Sequence, residues 1–190
     1  MTTAHRGRPR RSSKSALEEA ATELFFEQGV DATTVDDIAG RAGVSRATFF
    51  NYFPSKASVL WVDVDRALAD LQLFLASGME LGEAVFRAAK RYTLDRVPLI
   101  ATQSEAMRVG GDLAREGGAR VGTLATLVAR SGVSPPDVWV VTSALVGAGV
   151  RWVGAGSART ELSTYLGEEL TRVGSIVDAD TLAKLSYTGG

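Results

Sequence analysis

Cysteine is absent from this chain, and histidine occurs once, at His5. Without thiols there is no disulfide, no Cys-ligated zinc and no thiol nucleophile. With one imidazole, set in a basic N-terminal stretch, a Ser-His-Asp triad and a histidine-rich metal site are also excluded. Long hydrophobic runs are missing. The longest uncharged apolar run, Val138 to Val150, has 13 residues, against about 20 for a membrane span. Residues 1–14 are basic but lack the apolar stretch of about 7–15 residues that a secretory peptide needs. These two absences lead to the expectation of a cytoplasmic protein. Net charge is −1, so bulk charge points to no partner. What remains is 190 residues, 45% hydrophobic and 23% charged, the size of one or two small domains. Such a chain can bury about two-thirds of its unfolded surface.

The distribution of charge is more informative than its sum. Arg6, Arg8, Arg10, Arg11 and Lys14 stand in the first fourteen residues without an acid. Gly7 and Pro9 keep this stretch from being helical. An arginine-rich arm of this kind suits the narrow minor groove of duplex DNA, where the potential is most negative. A solvated, solubilising tail is the plainer alternative.

Helical signals follow at once. Ser15-Ala16-Leu17-Glu18 has the form of a capping box. Leu17, Ala20, Ala21, Leu24 and Phe25 then recur at helical spacing, and Gly29 closes the helix. Thr34-Val35-Asp36-Asp37 opens a second helix, which stops at Gly43. Ser45 opens a third, ended by Pro54, and Ser55 a fourth, expected to run from Lys56 to about Ala76. The second and third helices, joined by Ala42-Gly43-Val44, make a helix-turn-helix over about residues 34–53. Ala39 is small where the two cross. Gly43 can take the positive φ of a tight turn. Ile38, Val44 and Phe49 supply the small core between them.

The run Thr33-Thr34-Val35-Asp36-Asp37-Ile38-Ala39-Gly40-Arg41-Ala42-Gly43-Val44-Ser45, then Phe49-Phe50-Asn51-Tyr52-Phe53 and Lys56, resembles the DNA-binding domain of the tetracycline-repressor (TetR) family. The likeness spans roughly residues 12–62. It implies an all-α fold, with an N-terminal homeodomain-like three-helix domain and a C-terminal helical bundle for ligand binding and dimerisation. The divisions expected are a flexible basic arm (1–11), the DNA-binding domain (12–56) and an effector-binding and dimerisation domain (57–190). The function implied is a ligand-responsive repressor that binds a pseudo-palindromic operator as a homodimer and is released by a small-molecule effector. It implies no enzymatic activity, cofactor or metal. An effector-independent architectural DNA-binding protein and an all-helical enzyme are the alternatives.

By the same resemblance the third helix lies in the major groove, with Arg46, Thr48, Asn51 and Tyr52 toward the duplex and Ser45 at its start. The residue pattern agrees, because Phe49 and Phe53 are one turn apart and point the other way. Arg46 can bond guanine O6 and N7 together. Asn51 can read adenine or hold a phosphate. Thr34 and Lys56, at helix starts, are expected on phosphates, and the arm residues Arg6, Arg8, Arg10 and Arg11 in the minor groove. Two departures stand out. Phe50 takes the place of the family's usual tyrosine and is left to pack or to touch a thymine methyl. Asp36 and Asp37 put negative charge at a helix start, where the dipole favours it, although Asp36 facing a phosphate would weaken binding. Residues 15–60 hold seven acids against Arg41, Arg46 and Lys56, so the arm is expected to supply much of the non-specific attraction.

Beyond the head, Leu60, Val64, Leu68, Leu71 and Leu75 form one buried stripe. Further helices are expected at about 82–97, 98–109, 112–131, 135–153 and 160–177, with Gly-Gly pairs at 110–111 and 117–118 blurring the boundaries. The segment from Val138 to Val153 is apolar nearly all round, so it must be covered on two sides. With the next stripe it suggests a four-helix dimer interface through Val141, Leu145, Gly149, Trp152, Leu162, Leu166, Leu170 and Val173. Trp61, Phe74, Phe86, Tyr92, Met107 and Trp139 are large enough to line an effector pocket, with ordinary core as the plainer reading of each.

Overall fold

The computed structural model describes residues 13–93, 97–102 and 110–187, with residues 110–114 described by their backbone only. Among these residues there is no strand. The helices are α1 (Ser13–Gln28), α2 (Val35–Arg41), α3 (Arg46–Tyr52), α4 (Lys56–Val59), α5 (Val62–Ala76), α6 (Leu81–Ala89), α7 (Leu99–Thr102), α8 (Gly110–Arg130), α9 (Val138–Gly154), α10 (Leu162–Val173) and α11 (Ala179–Leu185).

Two cores organise them. Leu17, Ala20, Ala21, Leu24 and Phe25 come round to one face of α1 and close on Ile38, Phe49 and Phe53. Each large side chain there is worth about 1.5–3 kcal/mol of burial. Val59, Leu60, Val62, Leu99 and Ile100 continue this core into the second half of the chain. The larger core gathers Leu71, Leu81, Val85, Val128, Val141, Trp152, Leu166 and Leu170 from α5, α6, α8, α9 and α10.

The local rules hold where partners are near in sequence. Thr34 accepts from the Asp37 N–H while Asp37 accepts from the Thr34 N–H, a closed capping box. Ser45 and Ser55 cap α3 and α4. Gly29 (φ 84°) and Gly43 (φ 68°) take the left-handed turns.

Elsewhere the fold departs from the sequence reading. Ser15 lies inside α1, which already runs at Ser13, and the Glu18 carboxylate reaches across to Arg66 instead of back to the cap. The expected long fourth helix breaks at Leu60–Trp61 into α4 and α5. The helix expected to reach residue 97 stops at Ala89. Both Gly-Gly pairs are absorbed into α8. The short α11 is an addition, and its backbone fixes the need for glycine at Gly82: a Cβ there would stand 2.4 Å from the Leu185 carbonyl oxygen. Asp137 secures this corner, its Oδ2 accepting from the Ser134 hydroxyl (3.0 Å) and the Asp178 N–H (3.0 Å).

Candidate nucleic-acid interface and an apolar cavity

The face of α3 follows from its phenylalanines. Phe49 and Phe53 are buried in the head, which leaves Arg46, Ala47, Phe50, Asn51 and Tyr52 in solvent. Phe50 (46% exposed) and Tyr52 (45%) are large aromatics held out in water, a costly arrangement unless something covers them. Thr48 is partly covered. Its N–H donates to the Ser45 side chain (3.1 Å), and its hydroxyl lies 2.9 Å from that of Ser45. Ser45 itself is exposed. Arg46 is held from two sides. Its Nη1 donates to Asp36 at 2.9 Å, and its guanidinium lies 5.3 Å from the Phe50 ring centroid.

Two expected phosphate ligands are otherwise engaged. Lys56 Nζ donates to the carbonyls of Val30 (2.7 Å), Thr33 (2.8 Å) and Asp31 (3.2 Å). The turn after α1 aims these carbonyls at α4, Val30 also accepting from the Thr33 N–H (3.3 Å), and an ammonium with three donors fits them. Lys56 is therefore a strut between the α1–α2 turn and α4, engaged within the protomer where a phosphate contact was expected. Thr34 is engaged in the same way: its hydroxyl donates to Asp37 Oδ2 (2.7 Å) and its N–H to the same oxygen (2.9 Å). These bonds, the hydroxyl first, hold the Asp37 carboxyl below the usual carboxylate range. An anion thus already occupies the start of α2. Arg41 grips Glu27 (2.8 Å) and Glu23 (3.3 Å) of α1. Arg6, Arg8, Arg10 and Arg11 lie outside the described residues.

An apolar cavity of about 400 Å³ lies between α5, α6, α8, α9 and α10. Of the six side chains expected to line a pocket, Trp61 and Tyr92 do so. Three of the others lie elsewhere. Phe86 stacks on Tyr187 with centroids 4.4 Å apart, and Phe74 lies under the Arg87 guanidinium. Trp139 is 59% exposed on the outer side of α9. Met107 is outside the described residues.

Most of the residues expected at a dimer interface face inward instead. Leu145, Gly149, Trp152, Leu162 and Leu166 line the cavity. Val141 and Leu170 are buried in the protomer's own core, with Val173 packed against it. Apolar character marks burial without saying which burial, and here the interior claimed it. The outward stripe of α9 runs through Trp139, Ser143, Gly147, Val150 and Gly154. Trp139 and Val150 (62%) are its exposed apolar members, and a Cβ on Gly147 would meet open space.

Residues 17–60 match the family model for bacterial regulatory proteins, tetR family. Its N-terminal head is thus similar to the DNA-binding domain of the tetR family. A relative from Mycobacterium tuberculosis, the putative mycofactocin biosynthesis transcriptional regulator MftR, is 41% identical over 66 residues, 35% of this chain and 33% of that protein. The chain spans 28–42% of the length of the first curated relatives it matches. The whole shape also matches tetR-family structures. Thermus thermophilus FadR, in complex with lauroyl-CoA, aligns with a TM-score of 0.55 at 22% identity, over 93% of this chain and 97% of that one. SmeT in its triclosan complex aligns at 0.59 and 16% identity, over 94% and 99%. At such identity the likeness is one of fold alone, and it takes in the body that holds the cavity as well as the matched head.

Proposed function

We propose that this chain is a sequence-specific transcriptional regulator of the tetR family, a repressor that leaves its operator when a small molecule fills the cavity. The observation that carries the reading is the face of α3. Arg46, Phe50, Asn51 and Tyr52 stand in solvent on a rigid helix whose other side is anchored by Phe49 and Phe53. A helix of this breadth fits the major groove, and a guanidinium on it can take a guanine edge. The basic arm adds attraction to phosphates.

The operator is read as a pseudo-palindrome by a homodimer joined through the outward stripe of α9, which sets two copies of α3 about 34 Å apart. The cavity supports the ligand arm, since FadR and SmeT are structures in complex with lauroyl-CoA and triclosan. Release follows if the occupant binds the DNA-free shape better than the bound one. The protein works in the cytoplasm, in keeping with the absence, among the described residues, of any helix long and apolar enough to cross a membrane. The test is selection of bound fragments from genomic DNA, followed by titration of the winner against random duplex. Strong preference for one inverted repeat is expected. Equal binding of random competitor overturns the reading.

A further inference from the structure

We propose that the cavity takes a neutral lipophilic molecule and rejects carboxylates and quaternary ammonium ions of the same size. The inference deepens the reading of the cavity as the effector site and rests on it. Its wall is almost wholly apolar; its polar members Arg120 and Tyr92 are already engaged, and the buried Trp61 indole N–H, left without an acceptor, is a neutral donor that a hydroxyl satisfies without bringing a charge. Arg120 Nε and Nη2 each donate to the Asp65 carboxylate at 2.7 Å, and Nη1 donates to the Glu116 carbonyl at 2.9 Å. Every guanidinium nitrogen thus has its acceptor, and Asp65 cancels the charge. The Tyr92 hydroxyl donates to the Asp63 carbonyl at 2.7 Å. Burial, and then the Asp63 charge, push that phenol upward, so it stays neutral.

Among the described residues, a carboxylate entering this space would shed its water and meet no free cation on the wall. Recruiting Arg120 would mean stripping it from Asp65. Among the same residues an ammonium ion would meet no carboxylate. Its remaining refuge is an aromatic face. The Arg120 guanidinium already covers Trp61 (4.9 Å) and that of Arg159 covers Trp152 (5.2 Å), and both would repel a second cation, while the third wall aromatic, Tyr92, packs its ring against Trp152 (6.1 Å). Desolvating either ion is costly without such a partner, whereas an uncharged chain or ring system gains from every apolar contact. At the packing density of protein interiors, about 0.74, the cavity of about 400 Å³ holds about 300 Å³ of ligand.

The full chain is titrated with decan-1-ol, decanoate and decyltrimethylammonium below their micelle-forming concentrations. Tryptophan fluorescence is the readout, because Trp61 and Trp152 line the cavity. The alcohol should bind at least about ten-fold tighter than either ion. Ala67→Phe, on the α5 wall, should abolish the signal, with Ala101→Phe as the second blocking variant should the first not fold. An ion that binds as tightly as the alcohol, or an alcohol that gives no saturable signal, overturns the proposal. Operator affinity is measured in the same samples. Tight alcohol binding that leaves operator affinity unchanged counts against regulation while the ligand class stands. Operator selection with binding of ions alone sinks the ligand class while the regulator stands.

Discussion

Arg46 sits between a carboxylate and an aromatic ring, and both partners are themselves exposed. Ion pairs this open to solvent are weak, so Asp36 holds the guanidinium in place without preventing its transfer to a base edge. Arg46→Ala should therefore cost about 1–3 kcal/mol at one base pair of the operator, roughly 5- to 150-fold, and little on random duplex. Competition titrations with operators mutated one pair at a time locate that position; a uniform loss across all duplexes would assign Arg46 to phosphate. Lys56 makes the opposite case. The residue type and its place at a helix start pointed to a phosphate, because nothing in the sequence displays the carbonyls of Val30 and Thr33, brought to it from more than twenty positions away. Lys56→Met should lower stability by about 1.5–3 kcal/mol, the worth of hydrogen bonds to a charged group. The variant's urea midpoint measures this. The salt slope of DNA binding should stay unchanged, and a slope shallower by about one would restore the phosphate role.

Elements were legible where their signals are local. The Thr34 box and the Ser45 and Ser55 caps each close within three residues, and the inward pair Phe49 and Phe53 assigned the two faces of α3. Ser15 carries the same pattern and fails, since α1 extends upstream of it. The break at Leu60–Trp61 was invisible because the apolar stripe runs through it at unbroken helical spacing. Gly82 gave no sign of its role, which lies in the backbone of a helix about a hundred residues on. Gly82→Ala should push α11 off α6, since a Cβ would meet Leu185 and Ser186 backbone atoms at 2.4–2.9 Å. A loss of about 1–3 kcal/mol is expected from such overpacking, read as a lowered melting temperature, and an unchanged one would mean that α11 docks loosely. On the proposed regulatory reading, the contact between α8 and α4 is the coupling element. Glu116 Oε1 accepts from the hydroxyls of Ser55 (2.7 Å) and Ser58 (3.1 Å), in the helix that follows α3. One turn on, Arg120 covers the cavity-lining Trp61. Glu116→Ala should keep both operator and ligand affinity near wild type, yet shrink the ligand-induced loss of operator binding, which for ordinary coupling is about 5- to 150-fold. The cycle of four dissociation constants measures it. Undiminished coupling would move the transmission path elsewhere.

For the whole molecule, the proposed dimer makes the outer side of α9 the element that sets how two heads are presented. Its inner side is consumed by the protomer's own core and cavity, so most of the residues that the apolar sequence pattern assigned to an interface pack inside the protomer. Both faces of α9 are rich in Val, Ala and Gly, and only packing against α8 and α10 separates them. What remains outside is a stripe with Trp139 near one end, Val150 toward the other and Gly147 between, where a Cβ would meet open space. Two such stripes can approach closely at the glycine, while each tryptophan finds apolar cover on the partner, as a twofold contact requires. Val150→Arg places two guanidinium groups against each other across that axis; because Val150 also reaches the cavity's edge beside Gly149 and Trp152, ligand binding is measured alongside. The variant should remain helical and sediment as a monomer at concentrations where the parent is a dimer. Its affinity for a half-site duplex should stay near that of one parental head, while the gain from a full inverted repeat disappears. Since tethering two binding heads raises avidity by about 10²–10⁴-fold, the effect on the full operator should be far larger than on the half-site. A Val150→Arg protein that still dimerises and still favours the inverted repeat would place the interface on another face and leave Trp139 to a different partner.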